Sequence, residues 1–188
     1  TRQVLGILVL ACVVAELSIN TFNTSLGTTG RSAYLGDQED YKALYALAQE
    51  QEVDDFFRIE KFTRKTKNDG TLTGYPTASV FSSTMNSNVM DLYKMLGMRH
   101  SKVYYGYDGA TAFVAALLNV DYMFGEADKY ANGLYETVAN SGNIYLYRCK
   151  YTLPFGYMAP TGWDVSDEIG TGVRVQNQLI EDLGITDT

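Results

Sequence analysis

The stretch Val4 to Ile19, VLGILVLACVVAELSI, decides how the rest of the chain is organised. It is apolar at almost every position, and Glu16 is its only charge. As a transmembrane helix, its sixteen residues reach about 24 Å at ~1.5 Å per residue, short of a hydrocarbon core of ~30 Å. As the apolar part of a secretory signal, it offers Val13 to Ala15 as a small-residue cleavage site. The third interpretation is a buried element of a soluble core.

The flanks of this stretch favour the membrane interpretation. Arg2 precedes it and the next basic residue is Arg31, so positive charge lies on the near side only, as in a helix that leaves the cytoplasm. The chain has no initiator methionine, and we therefore expect a piece of a longer or processed protein. The net charge of -7 argues against nucleic acid as a partner, because phosphates demand a basic surface.

Cysteine and histidine are too scarce for several kinds of site. Cys12 and Cys149 do not form a disulfide framework, since the first lies within the apolar stretch. Leu10 to Cys12 faintly resembles a lipoprotein cleavage box, but the apolar run continues past it. His100 is the only histidine, which removes most metal sites and most Ser-His or Cys-His catalysis. We expect no metal and no cofactor.

The chain after the apolar stretch is long enough for one domain with a core. Residues 20–36 are rich in Asn, Thr, Ser and Gly, which is typical of a linker. The predicted organisation is a transmembrane helix end over residues 1–20, a linker over 21–36, and a mixed domain over 37–188.

Four helices are predicted in that domain. Asp37 is predicted to cap the first of them. Asp108 is predicted to cap the helix over residues 110–118, which is apolar nearly all round and should be central. The predicted stripes are Tyr41, Leu44, Tyr45 and Ala48; Val89, Leu92, Tyr93 and Leu96 after a cap at Asn86 or Ser87; and Val175, Leu179, Ile180 and Leu183.

Strands are predicted between these helices. Alternation over residues 56–60 places Arg58 and Glu60 on one face, with Phe57 and Ile59 on the other. Asn68-Asp69-Gly70 predicts a hairpin tip. Further strands are predicted over 78–82, 103–107 and 120–124, and a hairpin over 135–139 and 144–151. The predicted fold class is mixed α/β (α+β), with one mixed sheet and helices packed on it.

The residues themselves give little evidence of catalysis. Asp108 is predicted to be a helix cap, and Ser82 and Ser83 have no base beside them. Arg58 and Glu60 lie about 7 Å apart along one strand face, where they form a structural ion pair or present a charged spot. The ion pair is the favoured interpretation.

An ordered set of motifs resembles the YfhO family of bacterial polytopic membrane proteins over nearly the whole chain. The apolar stretch closing in Ala15–Asn20 is similar to the end of a membrane helix in that family. The motifs that follow it are Phe57–Glu60, Asn68–Asp69, Tyr75, Ser79–Ser83, Tyr105–Gly109, Ala116–Tyr122, Tyr151–Tyr157 and Gln176–Asn177.

The resemblance implies a much longer parent with many membrane helices, similar to glycosyltransferases that use a polyprenyl-phosphate sugar. Family members are linked to glycosylation of teichoic-acid-type polymers in Gram-positive bacteria. The catalytic acid of that fold type lies upstream of these residues, so no catalytic residue is expected here. The binding residues that the resemblance suggests are Arg58, Glu60, Asn68, Tyr75, Ser82 and Ser83.

We therefore expect an extracytoplasmic domain of a bacterial cell-membrane protein, anchored through residues 4–19. It would position a cell-wall polymer or a lipid-linked sugar. The alternative is a membrane-anchored structural or protein-interaction domain. A Tyr-lined groove near Arg58 and Asn68 would favour a glycan, whereas a flat exposed aromatic patch would favour a protein partner.

Overall fold

The apolar stretch forms part of one long helix. The structure is a computed structural model that describes residues 2–25, 30–52, 56–156, 158, 161 and 171–184. It divides into two compact units, residues 1–36 and 37–188. The first unit contains α1, Arg2–Ser25, and α2, Arg31–Leu35. Every side chain over residues 2–24 is exposed, so this helix is not a buried core element.

Helix α1 is longer than the apolar stretch that predicts it. Its 24 residues reach about 36 Å at ~1.5 Å per residue, enough to cross a hydrocarbon core of ~30 Å. Within the predicted linker over 21–36, residues 21–25 belong to the last turns of α1 and residues 31–35 form α2. Thr24 explains part of this difference, because its Oγ1 donates to the carbonyl of Asn20 at 2.7 Å and is satisfied within the helix.

The second unit has the mixed α/β composition that the sequence predicts. Its helices are α3 Gln38–Gln51, α4 Asp69–Thr73, α5 Ser87–Met95, α6 Ala112–Leu117 and α7 Gly172–Asp182. Its strands are β1 Arg58–Lys61, β2 Val80–Phe81, β3 Arg99–Ser101, β4 Tyr104–Gly106, β5 Val120–Gly125, β6 Tyr135–Ser141 and β7 Ile144–Cys149.

The described strands form two sheets, one more than the single sheet expected. The four-stranded sheet has the order β1-β5-β7-β6, with β1 parallel to β5 and the other pairs antiparallel. It is therefore the mixed sheet that the sequence predicts, with β6 and β7 as the predicted hairpin. The additional three-stranded antiparallel sheet has the order β2-β4-β3.

Hydrophobic cores lie on both faces of the four-stranded sheet. One face packs Ile59, Tyr122 and Leu146 against α3, which buries Tyr41 and Leu44 of its predicted stripe. The other face packs β5 and β7 against α5, α6 and α7. Every residue of β5 is buried because both of its faces are covered.

A close approach of two glycines joins α5 to α7. Gly97 follows α5 with a φ of +74°, the left-handed conformation typical of the residue just after a helix end. A Cβ on Gly172 would lie 2.5 Å from the Cα of Gly97, so only glycine fits there. This contact places the first turn of α7 against the end of α5.

Two predicted local features are wrong. Asn68-Asp69-Gly70 is not a hairpin tip but the start of α4. The carboxylate of Asp69 turns the chain instead, since it accepts from the backbone N–H of Lys65 at 2.9 Å and of Thr66 at 2.8 Å. A turn signal read from residue type alone does not distinguish these two outcomes.

Asp108 is also not the cap of α6. Helix α6 begins four residues later, and Thr111 is its N-cap, with its hydroxyl accepting from the backbone N–H of Val114 at 3.3 Å. The side chain of Asp108 is engaged by two cations. The ion pairs of Asp108 come from residues more than forty positions earlier in the chain, which local sequence patterns do not reveal.

Candidate functional site

The three-stranded sheet exposes one face, and its register determines which residues lie there. Phe81 pairs with Tyr104, and Tyr104 pairs with Ser101, so these three side chains share a face. Arg99 pairs with Gly106 on the same face, because side chains two apart on a strand point the same way. Tyr105 lies on the opposite face, where its ring packs 4.6 Å from that of Tyr93.

A lysine from the preceding loop covers part of this face. The ammonium of Lys67 lies 5.3 Å from the centre of the Tyr104 ring and donates to Oδ2 of Asp108 at 2.5 Å. A Cβ on Gly106 would lie 2.5 Å from Nζ of Lys67 and 2.9 Å from Oδ2 of Asp108. The absence of a side chain at Gly106 therefore provides the room for this ion pair. We call Lys67, Phe81, Arg99, Tyr104 and Asp108 the basic–aromatic face.

The face is connected to the four-stranded sheet through a chain of charges. Arg64 donates one N–H to Oδ1 of Asp108 and another to Oε2 of Glu60 at 3.0 Å. Glu60 is only 1% exposed, and its other carboxylate oxygen accepts from the hydroxyl of Thr77. Arg64 is thus held between a buried carboxylate and a surface one. The two ion pairs fix the position of the Arg64 guanidinium, which in turn supports Asp108 from behind the face.

Electrostatics keep Asp108 ionised although it is partly buried. Burial by itself raises the pKa of this carboxyl group, but the hydrogen bond from Lys67 and the charge of Arg64 outweigh it and lower the pKa below its usual value. Hydrogen bonding with Tyr104 raises the pKa of the exposed Arg99 guanidinium. The face thus combines the ammonium of Lys67 and the guanidinium of Arg99 with the carboxylate of Asp108.

Three of the predicted binding residues lie at the edge of this face. The amide of Asn68 donates to the carbonyl of Phe81 at 3.0 Å and accepts from its N–H at 2.8 Å, so it pairs with β2 as a neighbouring strand would. Ser82 follows β2, and its N–H donates to the carbonyl of Val103 at 2.9 Å. Ser83 is exposed beside it.

The other predicted binding residues lie apart from the face or behind it. Glu60 supports it through Arg64. The guanidinium of Arg58 donates to the carbonyl of Leu118 at 2.5 Å, at the end of α6. The favoured ion pair between Arg58 and Glu60 is therefore wrong, because Glu60 pairs with Arg64. Tyr75 is buried in the core beneath α3, its ring 5.3 Å from that of Phe124, and burial raises its pKa.

The candidate binding residues predicted from the sequence did not include Lys67 and Tyr104 of the basic–aromatic face. They also did not include Arg64, which supports that face. A signal was present, because residues 61–67 hold four basic residues within an acidic chain. The basic run alone does not show that Lys67 reaches Tyr104, which is contributed by another strand.

Two further clefts are lined by described residues of the second unit. One of about 300 Å³ is lined by polar residues that include Glu52, Asp121 and Arg148. The other, of about 660 Å³, is lined mainly by apolar residues of α6, α7 and residues 150–153. Within the part of the chain that the structure describes, no group of three His, Cys, Asp or Glu side chains is arranged to hold a metal ion.

The comparisons with known proteins agree with the motif resemblance. No curated protein and no solved structure matches this chain. Helix α1 is long and apolar enough to cross a membrane, with a mean hydropathy of 2.1 over its most apolar part. A family model described as bacterial membrane protein YfhO matches residues 1–188, so the chain belongs to the YfhO family of bacterial membrane proteins.

Proposed function

We propose that this chain is the extracytoplasmic domain of a membrane protein similar to polyprenyl-phosphate-sugar-dependent glycosyltransferases. Helix α1 anchors it, and the basic–aromatic face binds an anionic cell-wall polymer of the teichoic-acid type or the sugar of a lipid-linked donor. The domain positions that molecule, and the catalytic residues lie in another part of the parent protein.

The observation that carries this proposal is the grouping of Tyr104 with two cations. An aromatic ring offers sugars an apolar surface with a polar edge. Lys67 and Arg99 lie beside the Tyr104 ring and suit the phosphates of a teichoic-acid-type polymer. The chain has a net charge of -7, so this grouping is a local positive region in a protein that is negatively charged overall.

The direct test measures binding of purified teichoic-acid-type polymer to the full chain in detergent by calorimetry. Tyr104→Ala is expected to weaken binding about two- to tenfold, since a ring contact contributes ~0.5–1.5 kcal/mol. Lys67→Ala combined with Arg99→Ala is expected to weaken it further and to reduce its dependence on salt, because those cations contact phosphate.

The chain offers a matched control for these variants. Lys129 lies 5.2 Å from the centre of the Tyr130 ring, which repeats the lysine–tyrosine pair at another place. Lys129→Ala is expected to leave polymer binding unchanged. The proposal is wrong if the wild-type chain does not bind the polymer, or if Lys129→Ala weakens binding as much as the variants of the face.

A protein partner is the second candidate, and the exposed apolar side chains of this sheet favour it. Phe81 is 50% exposed on this face, and Val103 is exposed in the adjoining turn. Exposed apolar side chains that lie together on a surface are typical of protein interfaces. A Phe81→Ser variant that loses a co-purifying protein but binds polymer normally would support this candidate over the glycan.

A further inference from the structure

The larger cleft of the second unit lies between α6, α7 and the segment that follows β7. Its volume is about 660 Å³, within the range of small-molecule sites. It is separate from the basic–aromatic face, with which it shares no lining residue. The residues that line it are Ala112, Phe113, Ala116, Leu134, Lys150, Tyr151, Thr152, Leu153 and Ile180.

The lining is mainly apolar, and Lys150, Tyr151 and Thr152 carry its polar groups. Phe113, Leu153 and Ile180 are partly buried and provide apolar walls. Lys150 is the only charged residue among the lining residues, and it is exposed. Its ammonium donates to the carbonyl of Asn132 at 2.9 Å, which holds the charge in place at the opening. The cleft thus combines an apolar interior with one fixed cation.

Two large side chains of the lining remain partly in solvent. Tyr151 is 61% exposed and Leu134 is 40% exposed. Exposed apolar groups gathered around a cleft mark a surface that meets another apolar phase or molecule.

We propose that this cleft binds one acyl chain of an anionic phospholipid from the bilayer, with the lipid phosphate at Lys150. The apolar walls match the acyl chain, and the ammonium matches the phosphate by charge. The occupant is a bilayer lipid because the chain belongs to a membrane-protein family and carries a helix long enough to cross a membrane. Exposed Tyr151 is suited to the headgroup region, where amphipathic aromatic rings concentrate.

Photochemical labelling of the full chain tests this proposal. The chain is reconstituted in nanodiscs that contain phosphatidylglycerol with a diazirine on its acyl chain, and labelled peptides are mapped by mass spectrometry after irradiation. Helix α1 should be labelled in every sample and serves as the internal reference. The proposal predicts additional labelling of peptides that contain residues 112–116 and 150–153.

Two variants and one control make the result specific. Lys150→Glu is expected to reduce cleft labelling about fivefold relative to α1, since one basic residue near an anionic surface contributes about that factor. Leu134→Asp, at an exposed position, is expected to reduce it with an unchanged near-ultraviolet circular dichroism spectrum. Lys129→Glu, a lysine outside the cleft, should have no effect, and replacing phosphatidylglycerol by phosphatidylcholine should weaken cleft labelling.

Labelling confined to α1 would overturn the proposal, and so would cleft labelling that neither variant reduces. This outcome is independent of the proposed glycan binding. Polymer binding is measured in detergent with variants of the basic–aromatic face, and it does not depend on Lys150 or Leu134.

Discussion

Asp69 and Asp108 are two ion-paired carboxylates with opposite surroundings. Asp69 is 4% exposed, pairs with buried Lys61 at 3.4 Å and accepts two backbone N–H bonds. The side chain of Asp108 is 41% exposed and pairs with Lys67 and Arg64 at the surface. Both have a lowered pKa.

The comparison shows that a lowered pKa does not by itself identify a binding site. For Asp69 burial raises the pKa, but the backbone N–H of Lys65 and the charge of Lys61 outweigh it. Burial also lowers the pKa of Lys61, although Asp69 opposes that change. This carboxylate organises the loop before α4. Asp108 is partly exposed to solvent, so its partner Lys67 on the basic–aromatic face remains accessible to a ligand.

The largest expected effect is the loss of stability on Asp69→Asn. The variant leaves the Lys61 ammonium buried without a counter-charge, and breaking a buried pair in this way costs about 3–5 kcal/mol. The free energy of unfolding should fall by roughly that amount in urea titrations of the full chain in detergent, followed by near-ultraviolet circular dichroism. A loss below ~1 kcal/mol would contradict the assignment of Asp69 as a structural carboxylate.

The pH dependence of stability should distinguish the two carboxylates next. The folded-state pKa of Asp69 lies below the ordinary value of an aspartate side chain. Its contribution is therefore fully present above about pH 4 and is lost as the pH falls through the folded-state value. The difference in unfolding free energy between wild type and Asp69→Asn should shrink on acidification below pH ~4. A constant difference down to pH ~2 would show that the charge of Asp69 does not contribute.

Asp108→Asn should affect binding more than stability. The pair is partly exposed and Arg64 keeps Glu60, so the unfolding free energy should change by no more than ~1 kcal/mol. Removing the carboxylate frees Lys67 for an anionic ligand, and polymer affinity should rise about threefold at low salt. Calorimetry at two salt concentrations measures this effect. Weaker binding by Asp108→Asn would show that the carboxylate itself contacts the ligand.

The smallest effect is expected at the exposed pair of Glu39 and Lys42 in α3. The two atoms lie 3.0 Å apart, but both side chains are well exposed. Glu39→Gln should change the unfolding free energy by less than ~0.5 kcal/mol, as for other ion pairs on helix surfaces. The same urea titration provides the measurement. A larger loss would show that solvent exposure does not predict how much an ion pair of this chain contributes to the free energy of unfolding.

Sequence patterns predicted the elements whose burial follows a simple period. The apolar stripe of α3 was predicted because Tyr41 and Leu44 belong to a set that recurs at the spacing of a helix. The hairpin of β6 and β7 was predicted because a short turn separates its two strands. The predicted strands over 78–82 and 103–107 contain β2 and β4, but β3 was missed because its three residues are too few for alternation to be visible. That these strands form a second sheet depends on how they pair, which local patterns do not show. The candidate site was found only in part, through Asn68, Ser82 and Ser83 at its edge and Glu60 behind it.

The sequence by itself determined that the chain has a long apolar N-terminal segment, a mixed α/β domain and a net negative charge. Those properties depend on composition and short-range period, which local physics imposes wherever the segments lie. Only the tertiary structure decided that Arg64 joins Glu60 to Asp108, and that Lys67 lies beside Tyr104 across an open Gly106. Such contacts join side chains tens of residues apart, so they exist only after the two sheets and their connecting loops have packed.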